Sequence, residues 1–537
     1  MAEPVIEPGA EAVLTCVEAC CEQFEKVEFG GIAAIAGRSG VIGGAVLHRP
    51  EKPEQGCQMV DRKEANLSNP AAAFPDKYIP LPQVRDLPEA PTRQWRLIGP
   101  GIVAAGVGLA SGEFILFPYI TSQVGLTFVW AALLGLLTQF FLNMEIERYT
   151  LATGETAVTG FSRLWKHWGL VFAIMAYFAN LWPAWATSSA TLFTYAFGGD
   201  KALVSVAILL VIGAILTLAP AVYTALERAE MLKVAAVVLL IAIGALFVIS
   251  IDTWKALPTV VTEPKFPVAE LGFAVLMGAL AFAGAGGGQN LVQSNWIRDK
   301  GFGMGSYVPK IVSPLTGETQ SRGQAGFIFP ATDENLDRWR GWWRFANKEQ
   351  LVTFVAITFL SIMFMSLLAY GTVFGHPGAQ NDVSFLRIEG EVMSAATGGW
   401  FGYFFWIVGA FSMFAAALGI VDYTSRLAAD VIKTTYLPDR SESKVYAALV
   451  WGLVLIGALV ILVGMDEPLV LATIAACTGG TMMFIYSGLL IAINRKMLPA
   501  QIRIRGIRLG ALVWSILLFG ILAVLTVHQE IGDLLGG

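Results

Sequence analysis

The stretch Phe282-Ala283-Gly284-Ala285-Gly286-Gly287-Gly288-Gln289-Asn290-Leu291 sits in the middle of an apolar run near 268–296. A helix needs about 20 apolar residues to cross a bilayer, and this run is long enough. Each glycine inside a helix costs about 1 kcal/mol relative to alanine, so three in succession predict unwound backbone. At membrane depth, such backbone is tolerated only where protein buries it or where it lines a watery cavity. A second run of the same kind opens with Gly99-Pro100-Gly101 and ends its small-residue centre with Ala110-Ser111-Gly112-Glu113-Phe114. Its interruption is expected at Gly112.

The rest of the 537 residues places these two runs in a larger pattern. The composition is 55% hydrophobic and 14% charged, which requires lipid as the main solvent. Eleven apolar runs lie near 97–124, 126–147, 168–196, 202–220, 229–250, 268–296, 351–375, 399–421, 445–464, 468–493 and 508–528. The interrupted ones are the first and the sixth. That spacing predicts an inverted repeat, with one half at about 96–250, the other at 268–493, and an eleventh helix appended. The structural alternative is that the glycines serve close helix packing, which suits Gly106 and Gly108 but not the run beside two amides.

Lysines and arginines mark every second connection. They occur at Arg148, Arg163 and Lys166, at Arg228 and Lys233, from Arg298 to Lys348, from Arg426 to Lys444 and from Arg495 to Arg508. This asymmetry puts the N-terminus in the cytosol and the C-terminus outside, in a plasma (inner) membrane. Residues 1–95 read as a largely irregular cytosolic extension, and 96–530 as the eleven-helix domain. Within the inside loop 297–350, tryptophans alternate with arginines from Asp337 to Arg344, which predicts an amphipathic helix at headgroup level. Four of the five cysteines (Cys16, Cys20, Cys21 and Cys57) fall in the extension without the spacing of a zinc site, and Cys477 lies in an apolar run. A net charge of −5 without a basic patch excludes nucleic acid as a partner.

The candidate substrate contacts are Ala110, Ser111, Gly112 and Glu113 from the first run, and Gly286, Gly287, Gly288, Gln289 and Asn290 from the sixth. Half-helices leave N–H and C=O groups able to hold an ion or a small polar molecule. An ionised Glu113 at the bilayer centre would cost about 2.5–3.5 kcal/mol, so a site role is expected: binding a cation or an amine, or carrying a proton. The alternative is a carboxylate stabilised by the dipole of the following half-helix. Asp422 and Arg426, four residues apart, read as an ion pair at the inner mouth, with coupling as the second reading. Glu145, Glu147 and Arg148 read as a gate or a solvated helix end. His48, His167, His376 and His528 are all expected in loops or tails, which leaves no histidine relay in the membrane. No nucleophile–base pair or metal cluster stands at mid-membrane, so neither an enzyme nor a cofactor is expected.

Several of these residues resemble those of the Nramp family of divalent-metal transporters. Gly99-Pro100-Gly101, Gly112, Gln139, Thr153-Gly154 and Asn290-Leu291 are similar to positions in its first, second and sixth helices, and the likeness extends over roughly 95–530. The resemblance implies an all-α integral membrane protein, a LeuT-type 5+5 inverted repeat plus an eleventh helix, working as an alternating-access secondary transporter. The departures fall on the family's functional positions. Ala110 and Glu113 stand where it has a metal-binding aspartate and asparagine, Gly287 and Gln289 where it has methionine and histidine, and Asn180 and Pro183 where it has proton-path acids. Without methionine sulfur, a preference for soft transition metals loses its basis. The smaller residues suit a small polar or amine-bearing organic solute. The alternatives are a Mg²⁺-like divalent cation, with Glu113 as its protein ligand, and a channel.

Overall fold

The computed structural model describes residues 69–90, 106, 111–218, 222–308, 325–378, 382–437 and 440–534. Ala110, the four cysteines of the extension and the middle of the 297–350 loop lie outside the described residues. The described parts of the eleven apolar runs are helical apart from their ends, the bend at Val129 and breaks in the third and sixth runs.

The first run enters as a π-helical turn, Ser111–Leu116, and continues as α1 (Phe117–Val124) and a 3₁₀ turn, Gly125–Phe128. It then bends by 103° into α2 (Trp130–Thr153). After α3 (Ala157–Leu164), the third run forms two helices, α4 (Trp168–Asn180) and α5 (Ala184–Phe197). Pro183 stands between them; it has no N–H to continue the ladder. The chain continues through α6 (Lys201–Leu218) and α7 (Val222–Phe247). The sixth run is split into α8 (Val268–Phe282) and α9 (Gly288–Lys300). Next come α10 (Asp333–Glu349), α11 (Ile357–Thr372), α12 (Phe385–Thr397), α13 (Trp400–Val431), α14 (Glu442–Leu462), α15 (Pro468–Lys496) and α16 (Ile507–Leu534).

Among the described residues, eight helices are long and apolar enough to cross a membrane, or nine when the bent pair around Val129 counts as one span. The sixth run does not add to these because neither half is long enough. At 1.5 Å per residue, the 15 residues of α8 reach only about 22 Å of a hydrocarbon layer about 30 Å thick. The helix α13 is the enclosed one: 78% of its apolar window is buried, against 28% for α6 and α16. It packs on α4, α5, α7, α9 and α14, while α8 packs on α15 and α16. The outer helices turn apolar side chains such as Leu203, Leu246 and Val524 outward, a surface suited to acyl chains.

One end of the bundle is closed by residues 69–90 and α10. A two-residue strand, β1 (Gln83–Val84), pairs in parallel with β2 (Phe327–Ile328). Leu87 is fully buried, its N–H donating to Asn335 Oδ1 (2.9 Å). Trp342 Nε1 donates to the Pro88 carbonyl (2.8 Å), and Arg338 donates to that of Leu87 (2.9 Å). Arg163 donates to the carbonyls of Pro75, Ile79 and Pro80 while it pairs with Glu155. Burial alone would lower the pKa of this guanidinium; the Glu155 carboxylate reverses that and raises it above the ordinary arginine value. The expected tryptophan-rich helix is present as α10, but its aromatic face looks into the protein. Trp339 and Trp342 are buried, and Trp343 lies under Arg148 and Arg508 at 4.2 and 4.7 Å. His528, expected in the tail, is an exposed residue of α16, because that helix runs further than its apolar core.

Candidate functional site

The sixth run unwinds between Phe282 and Gly288, with positive φ at Gly286 (+67°) and Gly287 (+79°), backbone that glycine adopts readily. The groups freed by the break are taken up by α2 and by the break itself. Gln139 Nε2 donates to the carbonyls of Leu280 (3.1 Å) and Ala281 (2.8 Å), and its Oε1 accepts from the Ala285 N–H (2.7 Å). Asn290 Oδ1 caps the Gly287 N–H (2.8 Å), and its Nδ2 donates to Asn143 Oδ1 (2.6 Å). Gly284 leaves room for the Gln139 amide and the Phe354 ring; a methyl there would crowd both. On the far side, Gly287 meets Gly479 of α15 backbone to backbone, and a methyl on either glycine would overlap the other strand's carbonyl. The break is therefore a built feature with hydrogen-bonded ends, as buried backbone polar groups require.

The first interrupted run lies directly against the sixth. A methyl at Gly112 would overlap the Phe282 carbonyl oxygen at the end of α8. Gly112 itself sits inside the π-helical turn and is the point of contact between the two runs; the residues just before it, 107–110, lie outside the described residues. Glu113, in the same turn, is fully buried. Gln289 is buried in the first turn of α9. Gly288, the first residue of α9, faces Tyr423 of α13; a Cβ there would stand 3.3 Å from the ring and 3.8 Å from Ala176 Cβ.

Asn180 joins this neighbourhood through the same tyrosine. Its Nδ2 lies 3.0 Å from the Tyr423 hydroxyl, 2.9 Å from Thr424 Oγ1 and 2.9 Å from the Ala176 carbonyl. Beside it, Asp422 accepts from Arg426 (3.0 Å) and from the Tyr446 hydroxyl (2.6 Å), and Arg426 reaches across to Asp299 on α9 (2.7 Å). One turn on, Arg298 pairs with Asp430, which also accepts from Thr156 (2.9 Å). The pair read from the spacing is thus part of a buried ladder joining α9 to α13.

The end of α2 corrects the reading of a solvated terminus. Glu145, Glu147 and Arg148 are all buried. Arg148 forks onto Glu145 (2.6 and 2.9 Å) and donates to the Ile502 carbonyl (2.8 Å), and Asn494 of α15 reaches Glu145 (3.3 Å). Neither oxygen of Glu147 has a hydrogen-bond partner among the described residues. Lys233 also differs from expectation: counted above as a loop charge, it is a fully buried residue of α7 paired with Glu230. Sequence reading missed Asn143, Tyr423 and Gly479 as partners of the break. Among the described residues, no group of three or more His, Cys, Asp or Glu side chains is placed to hold a metal ion.

Solved structures share the fold. A histidine-to-alanine variant of a manganese transporter from Eremococcus coleocola superposes with a TM-score of 0.60 at 9% identity, over 86% of this chain and 92% of that one. A glutamate-to-alanine variant of the same transporter gives 0.61 at 10% identity, over 86% and 92%. The transporter in complex with an aromatic bis-isothiourea substituted compound gives 0.58 at 9% identity, over 85% and 90%. No protein-family model matches the sequence, and no curated protein does. The chain is an all-α integral membrane protein with the fold of that transporter. At this identity the fold is what the two proteins share.

Proposed function

We propose that this protein is an alternating-access secondary transporter whose site lies between Glu113 and the two interrupted helices. The observation that carries the proposal is the contact of Gly112 with the Phe282 carbonyl, which sets a fully buried carboxylate beside an unwound helix. The substrate is a small polar or amine-bearing organic solute. Glu113 takes its cationic group, and the N-terminal end of α9 offers N–H groups and a positive dipole end to an anionic one. Ser111, Gly112 and Gly286–Gly288 contribute backbone and Gln289 a side-chain amide. Asn290 contributes indirectly, since its amide holds the break. The protein sits in the plasma membrane with residues 1–95 and α10 on the cytosolic side.

A second reading, a divalent cation as substrate, is favoured by the fold likeness to a manganese transporter. A thermal-unfolding screen of amino acids, amines and divalent cations separates the two, because a ligand that binds the native state raises the melting temperature. Stabilisation by an amine-bearing solute, with no shift at micromolar Mn²⁺, is expected; a clear Mn²⁺ shift would select the second reading. With the solute so identified, Glu113→Gln in liposomes is expected to cut uptake at least tenfold, and undiminished uptake would remove Glu113 from the site.

A further inference from the structure

The helix α7 carries an intramembrane ion pair that the site described above does not use. Glu230 and Lys233 are both fully buried, with Lys233 Nζ 2.8 Å from Glu230 Oε2. Pairs three residues apart ordinarily stand on a solvated helix face, where water screens them and they contribute little. This one is out of water, where desolvating two charges costs more than such a pair returns unless further partners satisfy it. The further partner is the first interrupted run. Lys233 Nζ donates to the Gly106 carbonyl, six residues before Gly112. Glu230 lies so close to Gly106 that a methyl there would overlap its carboxylate. Gly106 is therefore required as glycine so that both side chains can reach the backbone.

A carboxylate and a main-chain carbonyl converging on one positive charge is the coordination chemistry of a bound monovalent cation, and interrupted membrane helices supply such carbonyls. We propose that this is a monovalent-cation site permanently filled by the chain's own ammonium. Lys233 Nζ occupies the position where an inorganic cation would bridge Glu230 and the first interrupted run. The tethered charge ties that run to α7 without drawing an ion from solution, so the protein needs no Na⁺ here. Removing the lysine side chain leaves a buried carboxylate and a carbonyl with a vacancy between them, which Na⁺ or methylammonium can fill.

The test needs no knowledge of the transported solute. The full chain, purified in detergent, is unfolded thermally in Na⁺, methylammonium or choline chloride at matched ionic strength. The wild type is expected to melt at the same temperature in all three. Lys233→Ala is expected to melt lower in choline and to recover by a few degrees in Na⁺ or methylammonium, and Glu230→Gln added to it should abolish that recovery. A Na⁺-specific rise in the wild type would overturn the proposal, as would a folded Lys233→Ala protein indifferent to all three cations. Lys233→Gln gives the same comparison with a side chain that still fills the space, and failure of both variants to recover in methylammonium counts against the site. Because the readout is ion binding, its failure leaves the solute reading at Glu113 standing, and the reverse also holds.

Discussion

Gln139 shows at the scale of one residue how the break is kept open. A single amide answers two carbonyls at the end of α8 and one N–H on the other side of the gap. Replacing it by leucine keeps the volume and removes all three bonds, and each buried polar group left without a partner costs about 1–3 kcal/mol. Gln139→Leu is expected to lower the melting temperature of the purified protein by several degrees; an unchanged melting curve would mean that water or neighbouring groups replace the amide. In the sequence, Gln139 stood out only through the Nramp resemblance. Nothing in the spacing could name Leu280 or Ala285 as its partners, since they lie more than 140 positions away. The glycines were legible as a break because their cost is local, whereas the bond from Asn290 to Asn143 depends on where α2 packs.

Among the elements, the stretch 69–90 and α10 differ most from what composition suggests. Pro- and Glu-rich sequence reads as irregular, and residues 69–90 do lack long helices or strands. They are nevertheless fixed by side chains of α3 and α10 that donate to their carbonyls. Arg163 is central, since it answers three of those carbonyls and pairs with Glu155, and removing one partner of a buried pair costs about 3–5 kcal/mol. Arg163→Ala is expected to release this stretch, read out as faster tryptic cleavage at the exposed Lys77 with α13 still protected. Equal cleavage rates in variant and wild type would show that β1 and Leu87 hold the stretch alone. The tryptophans of α10 carried the prediction of a helix, and two of them, Trp339 and Trp342, turn out to be covered by protein. Amphipathic periodicity tells which face is apolar, but not whether lipid or protein covers it.

For the whole molecule, the charge asymmetry predicts an orientation, but several of the charges it counts are paired inside the protein. Arg163, Lys233, Arg298 and Arg426 are buried in ion pairs, while Arg344, Arg495 and Lys496 remain exposed. The orientation is tested by cysteine labelling in a background in which the five native cysteines are serine. Lys255→Cys, at a side chain 70% exposed, is expected to react with an impermeant maleimide on intact cells. Arg344→Cys should react only after permeabilisation. The opposite pattern would invert the topology and place α10 outside.

Legible in the amino-acid sequence alone were the apolar runs and the unwinding at Gly286–Gly288. These follow from length, hydropathy and the local cost of glycine, all of which act within a few residues. Tertiary structure decided the rest. It made Gly112 a contact with the Phe282 carbonyl, put Tyr423 beside both Asn180 and Gly288, and turned Lys233 from a loop charge into a buried side chain on the Gly106 carbonyl. Hydrogen bonds and ion pairs between distant positions are set by which helices pack together, and that packing is not written in any one stretch of the chain. The break at Gly286–Gly288 was legible from the start; that it closes against Gly479 on one side and Gln139 on the other was not.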